Sequence, residues 1–236
     1  MKSKNYKIRS KIDDQIFNNL ADDWWKEDGA FKALHSFNII RLKFIKEKIR
    51  KGSIKNFKIL DVGCGGGILC EPLARLGMSV TGIDTNKKAI SIAREHAKKK
   101  NLKINYRNVD ITEVTANDFD LITCMEVLEH VEDVNHIISK AQKILKKDGF
   151  FIGSTINRTF ISYILAIFFA ESVLKVVPKG THEWNKLIKP NQLKKTFLKN
   201  KFSQFEVCGV TYNPLSNVWK FSDLKKVNYL FSAKSC

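Results

Sequence analysis

This sequence of 236 residues lacks cysteine pairs, linker-like segments and a recognisable secretory leader. Its five cysteines are an odd number without a C-x-x-C pair, so we interpret them as reduced thiols in a cytosol, without disulfides or structural zinc. The first residues hold no apolar core of a secretory signal, and we expect none. Because no stretch is rich enough in Pro, Gly or Ser to link domains, the length predicts one α/β domain over residues 1–236.

Several common catalytic signatures are also missing. The sequence contains no G-x-S-x-G nucleophile elbow, no G-x-x-x-x-G-K-[ST] phosphate loop and no H-E-x-x-H metal helix. These absences argue against an α/β-hydrolase, a P-loop nucleotide enzyme and a zinc protease.

Arginine is scarce although the chain is strongly basic. The formal net charge is +17, and lysine outnumbers arginine 34 to 7. The lysines are scattered, whereas phosphate recognition usually favours the forked guanidinium of arginine. We therefore expect no nucleic-acid partner, and two explanations of the charge stay open: solvated faces or attraction to an anionic membrane surface.

No apolar run is long enough to span a bilayer. The most apolar segment, residues 159–177, has about a dozen uninterrupted apolar residues, whereas a spanning helix needs about 20. An interfacial helix, the wall of a lipid-substrate pocket and a buried core helix are the three interpretations that stay open. Nearby lysines would favour an anionic membrane surface: Lys175, Lys179, Lys186 and Lys189.

The most informative motif is an apolar run that ends in an acid and a glycine-rich turn, residues 58–67. Three glycines alternate in this turn: Gly63, Gly65 and Gly67. Without a Cβ, the turn lets a bound nucleoside lie directly on the backbone. A second apolar run ends in Asp84, whose carboxylate can accept hydrogen bonds from both hydroxyls of a ribose. The turn is not the G-x-G-x-x-G fingerprint of NAD sites, because its sixth position is Ile68.

Strand-like and helix-like segments alternate through the chain. Strands are predicted at 59–62, 79–83, 104–108, 120–124 and 150–155, with an antiparallel edge from 205–211 and 227–233. Helices are predicted at 11–21, 37–51, 68–76, 87–99 and 134–146, the last one closed by a C-cap signal at 147–149. This alternation predicts a parallel sheet with helices on both faces and a ligand outside the carboxyl ends of the strands. Four residues fall at or just beyond those ends: Gly63, Asp84, Asp110 and Met125.

A charged cluster follows the fourth predicted strand. Glu126, Glu129 and His130 are offset by three and four residues, so their side chains can converge on one helical turn. Two carboxylates and an imidazole could hold a divalent cation such as Mg²⁺, or His130 could serve as a general base. The alternative is a charged first helical turn that complements the helix dipole, with His130 merely packed or solvated.

Two resemblances to known families can be seen in these motifs. The D-x-G-x-G-x-G form of the turn resembles the S-adenosylmethionine (SAM) site of class I methyltransferases. Longer segments are similar to the ubiquinone-biosynthesis O-methyltransferases over nearly the whole chain: residues 23–45, 61–69, 123–131, 154–158, 177–184, 188–190, 212–217 and 227–229. The Trp-Trp and Pro-Lys-Gly-Thr-His segments are the more specific ones, and the N-P-P-[YFW] tetrapeptide of many nucleic-acid methyltransferases is absent.

The resemblance implies a fold and a set of site residues. The fold would be α/β, a doubly wound, mostly parallel, seven-stranded Rossmann-like sheet with a helical N-terminal cap at 1–51 and an apolar insertion at 159–190. The implied SAM contacts are Arg41, Gly63, Gly65, Asp84, Asp110 and Met125. The implied Mg²⁺ ligands are Glu126, Glu129 and His130, of which His130 and Glu129 would be catalytic.

The resemblance also implies an activity and a location. That family methylates ring hydroxyls of a 2-polyprenyl-6-hydroxyphenol and of a demethylubiquinol. The protein would be cytoplasmic and peripheral at the inner face of the membrane, with other ubiquinone-biosynthesis proteins as partners. The alternatives are a methyltransferase for another apolar small molecule or for RNA, and a scaffold with a SAM-binding fold. The intact pair Gly63 and Asp84 argues against the scaffold, which has no need of it.

Overall fold

A computed structural model describes residues 20, 23–26, 28–29, 31–49, 54–162, 184–213 and 215–236. Nearly all of the predicted helix at 11–21 and most of the apolar segment 159–177 lie outside these residues. Within the described part, no helix has the length and apolar character needed to cross a membrane.

Helices and strands alternate along the chain as predicted. The helices are α1 (Lys32–Lys48), α2 (Cys70–Arg75), α3 (Lys87–Lys99), α4 (Val134–Ile144) and α5 (Pro190–Lys199). The strands are β1 (Lys58–Val62), β2 (Ser79–Ile83), β3 (Asn105–Arg107), β4 (Phe119–Met125), β5 (Leu145–Ile156), β6 (Phe202–Asn213), β7 (Val218–Ser222) and β8 (Asn228–Ser235). Short 3₁₀ turns lie at Ile111–Glu113, Leu128–His130 and Trp184–Lys186.

The strands of the described residues form one sheet of eight, in the order β3-β2-β1-β4-β5-β8-β6-β7. The first five strands of this order are parallel, and β8, β6 and β7 add to them in antiparallel fashion. The predicted α/β sheet is confirmed, with one strand more than the seven expected. The additional strand is β7, which depends on distant partners: Trp219 stacks on Phe37 of α1 and donates a hydrogen bond to the Ala33 carbonyl.

The end of α4 differs from the prediction. The C-cap signal at 147–149 does not close this helix, because α4 ends at Ile144 and β5 begins at the next residue. Leu145 already pairs with Phe119 of β4, so sheet pairing takes over the chain where local signals favoured more helix. Residues 147–149 instead lie within β5, at a register shift in its pairing with β4. Asp148 there has a φ of +64°.

Both faces of the sheet are covered by helices. Strand residues alternate between the faces, and one face packs Leu60, Ile122 and Phe151 against α4 and α5. The other face packs Ile59, Leu121, Ile152 and Leu230 against α1, α2 and α3. With the two faces buried, the carboxyl ends of the parallel strands are the place where polar side chains can meet a ligand.

Candidate active site

The glycine turn follows β1 and is held against the end of β2. Gly63, Gly65 and Gly67 have φ values of +70°, +52° and +88°, which only glycine adopts without strain. The backbone N–H groups of Gly63 and Cys64 both donate to the Ile83 carbonyl, at 2.8 and 3.0 Å. The turn thus has a defined backbone shape at the carboxyl end of the sheet.

Asp84 joins this turn to the start of α3. Its side chain is 3% exposed, and its two carboxylate oxygens accept hydrogen bonds from the N–H of Gly65 at 2.9 Å and of Asn86 at 2.8 Å. Asn86 in turn caps α3 by accepting from the Ala89 N–H. The predicted ribose acceptor is therefore part of a rigid hydrogen-bonded corner.

A small open cleft lies beside that corner. Gly63, Asp84 and Asp110 line it together with apolar side chains such as Val109 and Ile111. Asp110 also caps a 3₁₀ turn by accepting from the Thr112 N–H at 2.8 Å. Apolar side chains with carboxylates at the rim are the type of lining that a nucleoside site needs, and binding there remains a prediction.

Arg41 reaches the same end of the sheet from α1. Its guanidinium is buried and lies 4.4 Å from the centre of the Phe37 ring. Burial lowers the pKa of Arg41, and this effect is opposed by the nearby carboxylates of Glu126, Asp61 and Glu129. The Nε atom has no hydrogen-bond partner among the described residues, so a donor remains for the carboxylate of a ligand.

Met125 ends β4 and is almost fully buried. It belongs to the apolar cluster that also contains Phe37 and Ile40 of α1. The structure therefore brings the predicted cofactor residues to one end of the sheet, and direct contact of each with SAM remains a prediction.

Asp61, the acid that precedes the glycine turn, is a buried titratable group. Thr123 Oγ1 donates to one carboxylate oxygen at 2.7 Å, and Cys70 Sγ lies 3.2 Å from the other. Burial raises the pKa of Asp61 to about 6, although both hydrogen bonds and Arg41 act in the opposite direction. The motif identified this acid, but its protonation depends on neighbours from β4 and α2.

The raised pKa of Asp61 makes folding stability depend on pH. Between about pH 4 and pH 6 the native state keeps a proton that the unfolded chain has lost, since the ordinary value is 3.8. The free energy of unfolding should therefore fall as the pH rises through this window, by on the order of 3 kcal/mol. We expect Asp61→Asn to remove this contribution from the pH dependence of urea unfolding between about pH 4 and 6, whereas the contribution of Glu129, whose pKa is also raised, should remain.

Asp118 provides the control for this measurement. It is exposed, and its hydrogen bond with Lys58 lowers its pKa, so its stability contribution has the opposite sign. Asp118→Asn should leave the Asp61-dependent fall intact. Identical slopes for wild type and Asp61→Asn would contradict the assignment of a native proton to Asp61.

Glu126 begins the segment between β4 and α4 in an unusual conformation. Its φ is +53°, a left-handed value that is costly for a residue with a Cβ and is often found at functional sites. Its N–H donates to the Ser154 carbonyl of β5 at 3.0 Å, which fixes the start of the segment. The chain then forms the 3₁₀ turn with Glu129 and His130, and α4 begins only at Val134. The cluster is therefore not the first turn of α4, so the helical spacing assumed by both interpretations is absent, and whether His130 is a ligand, a base or merely packed stays open.

Two carboxylates of this cluster lie close to each other, Glu129 buried and Glu126 half-buried. Glu129 is 4% exposed, and burial, followed by the charge of Glu126, raises its pKa to about 7, whereas His130 acts to lower it. The Oε1 atoms of Glu126 and Glu129 are buried and accept no hydrogen bond from any described residue. Two such acids need a shared proton or a cation between them.

This pair of glutamates fits part of the predicted Mg²⁺ site. Unpartnered carboxylate oxygens are the ligands that Mg²⁺ prefers. Across the described ranges, however, no three His, Cys, Asp or Glu side chains are gathered as a ready metal site. The fit therefore rests on Glu126 and Glu129, and a ligand role of His130 remains a prediction.

The N-terminal tryptophans contribute to the cofactor side of the site. Trp25 Nε1 donates to the Gly66 carbonyl at 3.0 Å, and its ring stacks on His96 with centroids 3.6 Å apart. His96 Nδ1 is 2.6 Å from Glu71. A Cβ added at Gly65 would collide with the ring of Trp24. The sequence identified the Trp-Trp pair only as a family marker. No local pattern could show its contact with the glycine turn, because the two segments are about 40 residues apart in the chain.

Solved structures with this architecture support the assignment of the fold. A magnesium protoporphyrin IX methyltransferase of Synechocystis PCC 6803, solved with S-adenosylhomocysteine, superimposes with a TM-score of 0.69 over 95% of this chain and 98% of its own, at 18% identity. A possible histamine N-methyltransferase of Thermotoga maritima gives 0.66 over 94% and 99%, at 16% identity. Residues 60–153 match the family described as "Methyltransferase domain". The fold is thus the one found in these methyltransferases, and residues 60–153 form a methyltransferase domain within it.

Sequence relatives define the family within this class. The ubiquinone biosynthesis O-methyltransferase of Pelagibacter ubique is 44% identical over 94% of this chain and 96% of its own. The enzyme of the same name from Hydrogenovibrio crunogenus is 45% identical over 92% and 90%. The chain belongs to the family of ubiquinone biosynthesis O-methyltransferases and is a SAM-dependent enzyme, which decides against the scaffold alternative.

Proposed function

We propose that this enzyme methylates ring hydroxyls of polyprenylated phenols and quinols, with 2-polyprenyl-6-hydroxyphenol and 3-demethylubiquinol as substrates. The observation that carries the proposal is the pair of Glu126 and Glu129 at the carboxyl end of β4, near Arg41, whose Oε1 atoms are buried without a hydrogen-bond partner among the described residues. In a family named for O-methylation in ubiquinone biosynthesis, such a pair fits the handling of a phenolic proton.

The proton is the main obstacle in this reaction. SAM supplies a methyl group on a positively charged sulfur, which is already a strong electrophile. A free phenol has a pKa of about 10, so little of it is ionised near neutral pH. Glu129, with a pKa near 7, is matched to accept this proton, and His130 in the same turn is the second candidate base.

The surrounding residues align the reactants and exclude water. Arg41 would hold the methionine carboxylate and Asp84 the ribose, which leaves the methyl group facing the β4 end of the site. A divalent cation held by Glu126 and Glu129 would favour the ionised form of adjacent ring oxygens. Trp24 and Trp25 cover the glycine turn and keep water away from that side.

Methyl transfer from labelled SAM to a short-chain demethylubiquinol and to a prenylated catechol, with and without Mg²⁺, tests this function. Product that depends on Mg²⁺ would support the substrate class and the role of the glutamate pair together. Product without this dependence would keep the function and make a protein side chain the base. SAM binding without product would contradict the proposed substrates.

Membrane association is a further part of the proposal. Phe160 and Ile161 are 71% and 46% exposed where the chain enters the apolar insertion, and Trp184 is 39% exposed at its other end. Exposed aromatic and aliphatic side chains beside a basic surface fit an anionic membrane at the cytoplasmic face. The implied protein partners stay a prediction.

Replacing both Phe160 and Ile161 with serine should reduce flotation with vesicles that contain anionic lipid several-fold, because each side chain adds apolar area at the interface. The matched control is Leu215→Ser, since Leu215 is 97% exposed at the turn between β6 and β7. Equal flotation of the double variant and wild type would refute the membrane contact of this surface.

A further inference from the structure

Glu126 and Glu129 each have one carboxylate oxygen that accepts a hydrogen bond from a side chain of a sheet strand. Thr155 Oγ1 donates to Glu129 Oε2 at 2.8 Å, and Asn228 Nδ2 lies 3.5 Å from Glu126 Oε2 as a long hydrogen bond. The Oε1 atoms of both glutamates are left without a partner in the described part of the chain. The same arrangement occurs twice, once on each carboxylate.

We propose that Thr155 and Asn228 are positioning residues that orient Glu129 and Glu126 toward a divalent cation. The proposal deepens the proposed function, on which it rests. The last torsion of a glutamate side chain is soft, so a buried carboxylate without a donor would sample several orientations. A donor on one oxygen restricts this rotation and directs the other oxygen, as partners of metal-ligating carboxylates do.

The two donors lie on rigid elements rather than on loops. Thr155 is fully buried on β5, and Asn228 begins β8. In the antiparallel pairing of these strands, Asn228 is opposite Ile156, the residue next to Thr155. The donors are therefore neighbours on adjacent strands, and strand pairing sets their spacing.

The same strand ends also anchor the apolar insertion. The Ile188 N–H donates to the Ile156 carbonyl at 3.1 Å, and Tyr229 Oη donates to the Ile188 carbonyl at 2.9 Å. Ile188, near the end of the insertion, is thus hydrogen-bonded to the two residues that lie next to the donors Thr155 and Asn228. This tie keeps the strand ends together at the place where a substrate would enter.

The test uses Mn²⁺ as the probe, with the full-length protein bound to S-adenosylhomocysteine and free Mn²⁺ measured by electron paramagnetic resonance. Thr155→Val keeps the side-chain shape but removes the hydroxyl, and we expect Mn²⁺ affinity to fall about 10- to 100-fold. Thr155→Ser returns the hydroxyl and should restore most of the affinity. Asn228→Ala should have a smaller effect, because its hydrogen bond is long.

Ser154→Ala is the matched control. Ser154 precedes Thr155 on β5 and is equally buried, but its hydroxyl has no hydrogen-bond partner among the described residues. Its loss should leave Mn²⁺ affinity unchanged. Thermal unfolding and affinity for S-adenosylhomocysteine, measured for every variant, separate positioning from a general loss of structure.

Two results would overturn the inference: wild type that binds no Mn²⁺, or Thr155→Val that binds it as tightly as wild type. If Thr155→Val does not fold, unchanged Mn²⁺ affinity in Asn228→Ala overturns it, and reduced affinity supports it. Failure of the proposed function has a different signature, because wild type would then bind Mn²⁺ but methylate neither phenolic substrate.

Discussion

Replacing Glu129 with glutamine should lower kcat by at least about 100-fold, the contribution of a positioned general base, with SAM affinity unchanged. Glutamine keeps the size of the side chain and still offers an oxygen to Thr155 Oγ1, which donates to Glu129 at 2.8 Å. It cannot accept a phenolic proton, and it removes a negative charge that a divalent cation would need. Steady-state kinetics with a prenylated catechol and calorimetry with SAM measure the two quantities.

The pH dependence gives this prediction a second readout. Because burial and Glu126 raise the pKa of Glu129 to about 7, its basic form appears as the pH rises through neutrality. Without added divalent cation, wild-type kcat should therefore increase across about pH 6–8, and this increase should be lost in Glu129→Gln. Glu132→Gln is the control, since Glu132 is exposed just after the same turn. An unchanged kcat in Glu129→Gln would remove Glu129 from the chemistry.

Replacing Asp84 with alanine should weaken SAM binding at least about tenfold. In the structure its carboxylate accepts hydrogen bonds from the backbone of Gly65 and of Asn86, so it holds the glycine turn and the start of α3 in place. A hydrogen bond to a charged group contributes about 1.5–3 kcal/mol, and each 1.4 kcal/mol is a factor of ten in affinity. The loss of a ribose acceptor adds to the loss of this preorganised corner.

Calorimetric titration with SAM, well below the unfolding temperature of the variant, measures this effect. Asp118→Ala is the control, because Asp118 is an exposed acid just before β4, at the opposite end of the parallel strands. It should bind SAM like wild type. An unchanged dissociation constant in Asp84→Ala would exclude Asp84 from the cofactor site, whatever the change in stability.

Some elements with a local signal were predicted well, whereas α5 was missed although Pro190 at its start is such a signal. β2 and α3 have the predicted bounds of 79–83 and 87–99. In α3 the helical period of apolar residues agrees with the cap that Asn86 provides through the Ala89 N–H. Errors arose where pairing partners are distant in sequence. β7 was missed, and β5 begins five residues earlier than predicted, because Leu145 pairs with Phe119.

In the candidate site, too, local sequence patterns predicted some features, and contacts between distant parts of the chain decided the others. The residue types at the strand ends identified the cofactor class, and the structure adds a hydrogen bond from the Gly65 N–H to Asp84, whereas contact of either residue with SAM stays a prediction. The contribution of Thr155 and Asn228 had no local signal, because a threonine and an asparagine in strands are ordinary residues until a carboxylate lies beside them. Their partners are 26 and 102 residues away in the chain.

The sequence by itself determined the chemistry that is available: a glycine turn for a nucleoside, an acid for its ribose, and acids with a histidine after β4. Only the tertiary structure decided the charge state and orientation of these groups. Burial raises the pKa of Asp61 and of Glu129, and neighbouring strands supply a donor to one carboxylate oxygen of Glu126 and of Glu129. Desolvation and hydrogen bonding depend on which atoms surround a group, and the folded chain assembles those atoms from distant parts of the sequence.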